Sequence, residues 1–275
     1  MRKLALLLII AALTALAPPA RADYDRAERN FKARNYGEAY LLALPLAHAG
    51  DPRAQYLLAL MSDNGLRPVV FDPAEAARWY LAACKKDHGP SCFALARATA
   101  SGRGVERDPR AALGWLQRAA DVNNVEGLLS LAQLYDEGRG VEKDPAKATE
   151  LIRRAAEQND ARAHFAYALR LALGDSMGGR WEEARAWFRK AADGGHPEAL
   201  LRLAERAAAI ENAAPEINIE AYAWATLAEQ QADGDLKKAA TKTKATLAKR
   251  MTPTDLAASA DRVQAWRDQR DQRKP

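Results

Sequence analysis

A block of residues recurs every 36 positions, and this period constrains the fold more than any other feature of the chain. Asp72-Pro73-Ala74-Glu75-Ala76-Ala77-Arg78-Trp79 aligns with the segment from Asp108-Pro109 to Trp115, and again with the segment from Asp144-Pro145 to Leu151. A fourth copy, Trp181 to Trp187, keeps the register without the Asp-Pro, and a weaker fifth, Ala221-Tyr222-Ala223-Trp224, is one residue out of step. Each of the first four copies then reaches a small pair: Ala83-Cys84, Ala119-Ala120, Ala155-Ala156 and Ala191-Ala192. A module of this length cannot bury its own apolar face, so it must stack on its neighbours.

Asp before Pro reads as a helix start, because the carboxylate caps free N–H groups and Pro at the first helical position has no N–H to lose. Apolar residues three and four apart, as in Ala112, Trp115, Leu116 and Ala119, mark one helix face. Between these helices lies another, and it stops at a glycine turn. Cys92 to Ala100 precedes Gly102-Arg103-Gly104-Val105, and Val125 to Tyr135 precedes Gly138-Arg139-Gly140-Val141. Glycine after the last helical residue suits a left-handed cap, and the valine is placed to plug the turn against the core. Alanine supplies much of the 48% hydrophobic fraction and aromatics only 7%, which suits closely packed helices better than a sheet. The expected fold is all-α: a right-handed α-solenoid superhelix of stacked antiparallel helix pairs.

The expected domain organisation has three parts. Residues 1–22 carry a signal-peptide pattern: basic Arg2 and Lys3, a 14-residue apolar run from Leu4 to Ala17, and small residues around Ala20-Arg21-Ala22. Residues 23–232 hold six tandem helix pairs, the first from about Tyr24 to Ala49 and the last from near Pro197 to Ala232. Residues 233–275 form a C-terminal helical cap and a basic tail. Cleavage after Ala22 places the mature chain in the periplasm or outside the cell, with no transmembrane segment. It also takes Lys+Arg from 41 to 38 against 36 Asp+Glu, a net charge of +2. The pI of 9.2 is thus partly a leader effect, and no nucleic-acid partner is expected. Arg262 to Lys274 is basic but interleaved with Asp261, Asp268 and Asp271, and reads as a solvated helix face.

These residues resemble the Sel1-like repeats, a subfamily of the tetratricopeptide-like α-solenoids. The pattern is best kept from Leu131-Ala132-Gln133-Leu134-Tyr135 through Gly138, Gly140, Val141, Asp144, Lys147, Ala148, Ala155 and Ala156. Ala132 stands where the family usually has glycine. Residues 64–72, 174–180 and 210–218 replace the regular turn and are expected to differ in shape. Tyr222-Ala223-Trp224 and Leu247-Ala248-Lys249-Arg250-Met251-Thr252-Pro253 look like the ending of many secreted bacterial members, with Thr252 and Asp255 as a capping-box variant.

Cys84 and Cys92 flank a helix–helix turn that contains His88. In an oxidising compartment the pair is favoured as a disulfide, provided its Cα atoms lie within about 7 Å. A metal site from Cys84, His88 and Cys92 lacks a fourth ligand, and two free core thiols remain an alternative. The resemblance supports the bridge, because cysteine-rich secreted members carry one at this point in every repeat. That group includes proteins described as binding or slowly hydrolysing β-lactams, so a β-lactam- or peptidoglycan-acting protein is the competing functional reading. The sequence holds no Ser-x-x-Lys, His-Glu-x-x-His, phosphate loop or nucleophile elbow. His48, His88 and His196 fall near turns and read as capping or solvated residues, and His164 falls near a helix start. The tryptophans Trp79, Trp115, Trp187 and Trp224 read as core. No catalytic residue, metal or cofactor is expected.

The function expected from this reading is protein–protein interaction: an adaptor or regulator of an envelope complex, holding another envelope protein, a peptide or a cell-wall component along the concave face. One side-chain column at a repeated register position, Leu60, Arg97, Gln133, Leu169 and Glu205, is the candidate contact surface, with plain solvent exposure as the alternative.

Overall fold

Carboxylate caps start several of the helices. In the computed structural model, which describes residues 19–173 and 180–272, Asp72 Oδ1 accepts from the Ala74 and Glu75 N–H groups at 2.9 Å each. Asp108 does the same for Arg110 and Ala111 at 2.9 and 3.0 Å, and Asp144 for Lys147 at 2.9 Å. Asp51, just ahead of Pro52, caps its own helix through the Arg53 and Ala54 N–H groups at 2.8 and 3.3 Å. These bonds satisfy the donors that a helix start leaves open.

The described residues form fourteen helices and no strand. They are α1 (Pro19–Lys32), α2 (Tyr36–His48), α3 (Pro52–Asn64), α4 (Pro73–Cys84), α5 (Gly89–Ser101), α6 (Pro109–Asp121) and α7 (Val125–Glu137). Then come α8 (Pro145–Ala156), α9 (Ala161–Leu173), α10 (Trp181–Asp193), α11 (Pro197–Ala208), α12 (Pro215–Gln231), α13 (Gly234–Ala248) and α14 (Pro253–Gln272). None is long and apolar enough to cross a membrane. The apolar run Leu4 to Ala17 lies outside the described residues, and α1 runs through the expected cleavage point after Ala22.

The chain divides into two compact units, one reaching Leu131 and including Arg139–Glu142, the other comprising Ala132–Gly138 and the residues from Lys143 onward. Each is a run of an all-α solenoid. In unit 1, α2 packs on α3, α3 on α4, α4 on α5 and α5 on α6. In unit 2 the same succession runs from α8 to α13, and α14 returns to pack on α12. Short turns between successive helices make them antiparallel neighbours.

The helices approach closely because the small pairs are buried. Ala83, Ala119, Ala155 and Ala191 are each fully shielded from solvent. Gly127 shows how close the approach is: a Cβ there would stand 2.7 Å from the Ala119 Cβ and 3.1 Å from backbone atoms of Ala119 and Ala120. The glycine turns behave as the sequence predicts at Gly102 and Gly104, with φ of +78° and +73°. Val105 and Val141 are only half-buried, so the valines shield the edge of the turn rather than plug the core.

The irregular turn 65–72 closes much as its regular counterparts do. Asp72 N–H donates to Ser62 O at 2.9 Å, as Asp108 does to Thr99 O at 3.0 Å and Asp144 to Tyr135 O at 2.9 Å. It spans one residue more than they do and bulges, leaving Val70 78% and Phe71 57% exposed. At 210–218, α12 starts at Pro215 with no side-chain cap. Residues 174–179 are outside the described set.

At the C-terminus the capping box forms: Asp255 N–H donates to Thr252 Oγ1 at 3.2 Å, and Thr252 N–H to Asp255 Oδ2 at 2.8 Å. The basic stretch is a largely exposed helix face, as the sequence reading has it, with two arginines engaged at one edge. Arg267 and Arg270 of α14 donate to the side-chain oxygens of Gln230 and Gln231 at 2.7 and 2.9 Å, so the helix is tied back onto α12.

Candidate partner-binding grooves

Two of the five column residues meet in unit 1. Leu60 on α3 and Arg97 on α5 line one open groove of about 920 Å³. One turn before each stands an aromatic, Tyr56 before Leu60 and Phe93 before Arg97, because residues four apart share a helix face. The Arg97 guanidinium lies 6.0 Å from the Phe93 ring centroid, at the outer limit of cation–π contact. Tyr80 from α4 lies behind, its ring 5.9 Å from that of Tyr56. Burial pushes the phenols of Tyr56 and Tyr80 up from their ordinary value, with the Glu126 charge adding to the effect at Tyr56. Both are neutral at physiological pH; Tyr56 is half-buried and Tyr80 is buried behind it.

One end of this groove is held by Arg103. Its Nε donates to Asp63 Oδ1 at 2.7 Å, its Nη2 to the Asp63 carbonyl at 2.6 Å, and its guanidinium sits 5.5 Å from the Phe71 ring centroid.

Leu169 on α9 and Glu205 on α11 line a second groove, of about 340 Å³, in unit 2. Trp181 and Phe188 form its floor, and Arg202 and Arg206 stand on its rim. Gln133 lines neither groove. It is exposed on α7, where its Nε2 donates to Glu137 Oε1 at 2.7 Å.

The Sel1 repeat family profile matches residues 52–88, 89–124, 125–160 and 161–196, which is more than half of the chain. The chain belongs to the Sel1 repeat family. A Sel1 repeat protein from Oxalobacter formigenes has a similar structure, with a TM-score of 0.69 and 23% identity over 91% of this chain and 100% of that one. An immunity protein from Pseudomonas aeruginosa, PA5088, is similar at TM-score 0.51 and 20% identity over 85% and 83% of the two chains. A second from the same organism, Pa5087, is similar at 0.51 and 19% over 84% and 83%. At these identities the likeness is one of fold. No curated protein matches the sequence.

Sel1 repeats are scaffolds that usually mediate protein–protein interaction, and the fold is typically non-enzymatic. Each matched Sel1 repeat opens with the first helix of a pair, α3, α5, α7 or α9, so both grooves lie beside first helices of consecutive modules. The fifth residue of the four Sel1 repeats is Tyr56, Phe93, Leu129 and Phe165, an apolar series visible in the sequence, of which Tyr56 and Phe93 line the unit 1 groove.

Cys84 and Cys92 are disulfide-bonded, with Cα atoms 4.7 Å apart. The bridge joins the end of the first matched Sel1 repeat to the start of the second, and both cysteines are fully buried. Arg118 braces the turn from α6, donating to Asp87 Oδ1 at 3.0 Å and Lys85 O at 3.2 Å. Among the described residues no cluster of three or more His, Cys, Asp or Glu could hold a metal ion.

His48 is exposed beside a turn and His164 lies at a helix start, as the sequence reading has them, whereas His88 and His196 depart from it. His88 and His196 occupy helix N-cap positions, yet neither side chain makes a cap hydrogen bond. They pack as rings instead: His88 lies 5.1 Å from Tyr56 and bonds Ser91 Oγ through Nδ1 at 2.8 Å, while His196 stacks on Phe165 at 4.3 Å. His164 is buried against Trp187, and His48 meets Trp79 edge-on. Trp79, Trp115, Trp187 and Trp224 are half-buried and form the outer edge of the core rather than its centre.

Proposed function

We propose that the protein is a periplasmic adaptor or regulator of an envelope complex, binding another envelope protein, a peptide or a cell-wall component. One observation carries this reading: Leu60 and Arg97, paired by register alone, line one solvent-open groove together with Tyr56 and Phe93. Interfaces draw their energy from such aromatic and arginine side chains, which bury large area at small entropic cost. The family supports a protein partner, and the name immunity protein carried by two of the solved neighbours is compatible with a binding role. A disulfide between Cys84 and Cys92 suits an oxidising compartment, as does the leader pattern in residues 1–22. In this reading residues 23–232 are the binding array and residues 233–275 its polar cap.

The test is a photo-crosslinking residue placed at Arg97, at Gln133, at Leu169 and, as the control, at exposed Arg78 on α4. In intact cells the groove positions Arg97 and Leu169 should give a discrete periplasmic adduct that Arg78 does not. Equal labelling from Arg78, or no adduct from either groove, refutes the proposal.

A further inference from the structure

The two grooves differ in charge balance. In unit 1, Arg97 and Arg103 face Asp63 and Glu126, and Arg103 spends its donors on Asp63. In unit 2, Arg202 and Arg206 face Glu205 as the one carboxylate of the groove among the described residues. Arg202 Nη1 stands 3.8 Å from Glu205 Oε2, beyond hydrogen-bond distance. The guanidinium of Arg206 lies 5.1 Å from the Trp181 ring centroid and makes no ion pair among the described residues. A guanidinium stacked on an aromatic face keeps its N–H groups in its own plane, directed outward and free for a carboxylate.

The apolar side of this groove is equally unfilled. Leu173, the last residue of α9, is 80% exposed beside half-buried Leu169 and Trp181. An exposed leucine next to an aromatic floor gains by burial under a partner's apolar side chain.

Resting on the scaffold reading above, we infer that the unit 2 groove receives a partner-protein segment in which an apolar side chain stands next to a carboxylate. The apolar group covers Leu173 and the edge of Trp181, and the carboxylate is held by Arg206 with Arg202 beside it. Charge complementarity selects this occupant: the rim holds two cations to one anion, and the donors of Arg206 have no acceptor among the described residues.

The probe is a short fluorescein-labelled peptide of repeating Ala-Glu-Leu-Glu, compared with counterparts carrying Gln or Lys in place of Glu, and with anionic phospholipid vesicles. The mature chain is titrated and fluorescence anisotropy read. The acidic peptide should bind saturably and the Gln and Lys peptides should not. R206Q should weaken binding roughly tenfold or more, as loss of an interface arginine anchor does. R206K should lie between, because it keeps the charge without the planar fork. R78Q, at an exposed position on α4 outside both grooves, should leave the affinity unchanged. Circular dichroism checks that each variant is folded. Equal binding of the Gln peptide, R206Q binding like the parent, or vesicle binding that depends on Arg206 in place of peptide binding overturns the inference. Such a failure with crosslinking at Arg97 intact removes only this assignment, whereas loss of both removes the scaffold reading.

Discussion

Arg103 donates to both the side-chain and the backbone oxygen of Asp63, reaching across 40 residues to the end of the preceding first helix. Its neighbour Gly104, at φ +73°, lies so close to the start of α4 that a Cβ would stand 2.0 Å from the Pro73 carbonyl oxygen. The turn between the two helices of one module is therefore docked on the start of the second helix in the module before it. R103A should cost about 1 kcal/mol, since both partners are partly solvated. G104A should cost more than about 2 kcal/mol, because the clash is with backbone and the conformation disfavours any side chain. Urea denaturation of the two variants checks the order; an R103A cost equal to that of G104A contradicts it.

Gly127 and Ala119 provide a second test of close packing. G127A should destabilise the chain by about 1–3 kcal/mol, since α7 must move off α6 to admit the methyl group. The double variant G127A/A119G should recover part of that loss, because the nearest obstacle is the Ala119 Cβ. Denaturation midpoints of the two variants give the comparison, and no recovery would mean that the backbone contacts at 3.1 Å decide the cost.

Reducing the disulfide between Cys84 and Cys92 closes off a different contribution. On the loop-entropy model a bridge over so short a loop contributes about 2–3 kcal/mol. A reductant strong enough to open this buried bond should lower the denaturation midpoint of the parent protein and leave that of C84A/C92A unmoved. The same shift in both proteins would show that the bridge contributes nothing.

Stability should also fall in mild acid. Burial holds His88, His164 and His196 below the ordinary histidine value, and Lys190 adds to the effect at His164. The unfolded chain therefore binds protons that the folded chain refuses. This contribution is complete above about pH 6.5, where unfolded histidine is neutral, and is lost as the pH drops through and below that value. In the intervening modules the same N-cap position holds Asn124 and Asp160, whose side chains accept from Gly127 N–H at 2.8 Å and Arg162 N–H at 2.8 Å. H88N and H196D should each flatten the pH dependence of the urea midpoint between neutral and mildly acid pH. An unchanged slope in both variants rejects this account.

The grooves were legible only in part. Register placed Leu60 beside Arg97 and Leu169 beside Glu205, because a regular repeat returns equivalent residues to equivalent places. It also suggested Gln133, which the structure leaves outside both grooves, bonded to Glu137 on its own helix. The exposed Val70 and Phe71 carried no signal, since an apolar pair in an irregular turn reads equally well as a buried plug. His88 and His196 stood at N-cap positions but found aromatic rings, and which ring lies within reach depends on how two helices pack.

The amino-acid sequence by itself determined the helices, their order and their stacking partners, because Asp-Pro caps, left-handed glycines and buried alanine pairs are local signals, repeated at an interval that brings each module against the next. Tertiary structure alone decided which rim charges are spent and which are free. Among the described residues, Arg103 finds Asp63 while Arg206 finds the face of Trp181. The physical reason is reach: a long flexible side chain pairs with whatever the neighbouring module presents within a few ångströms, and one repeat's sequence does not state what that is.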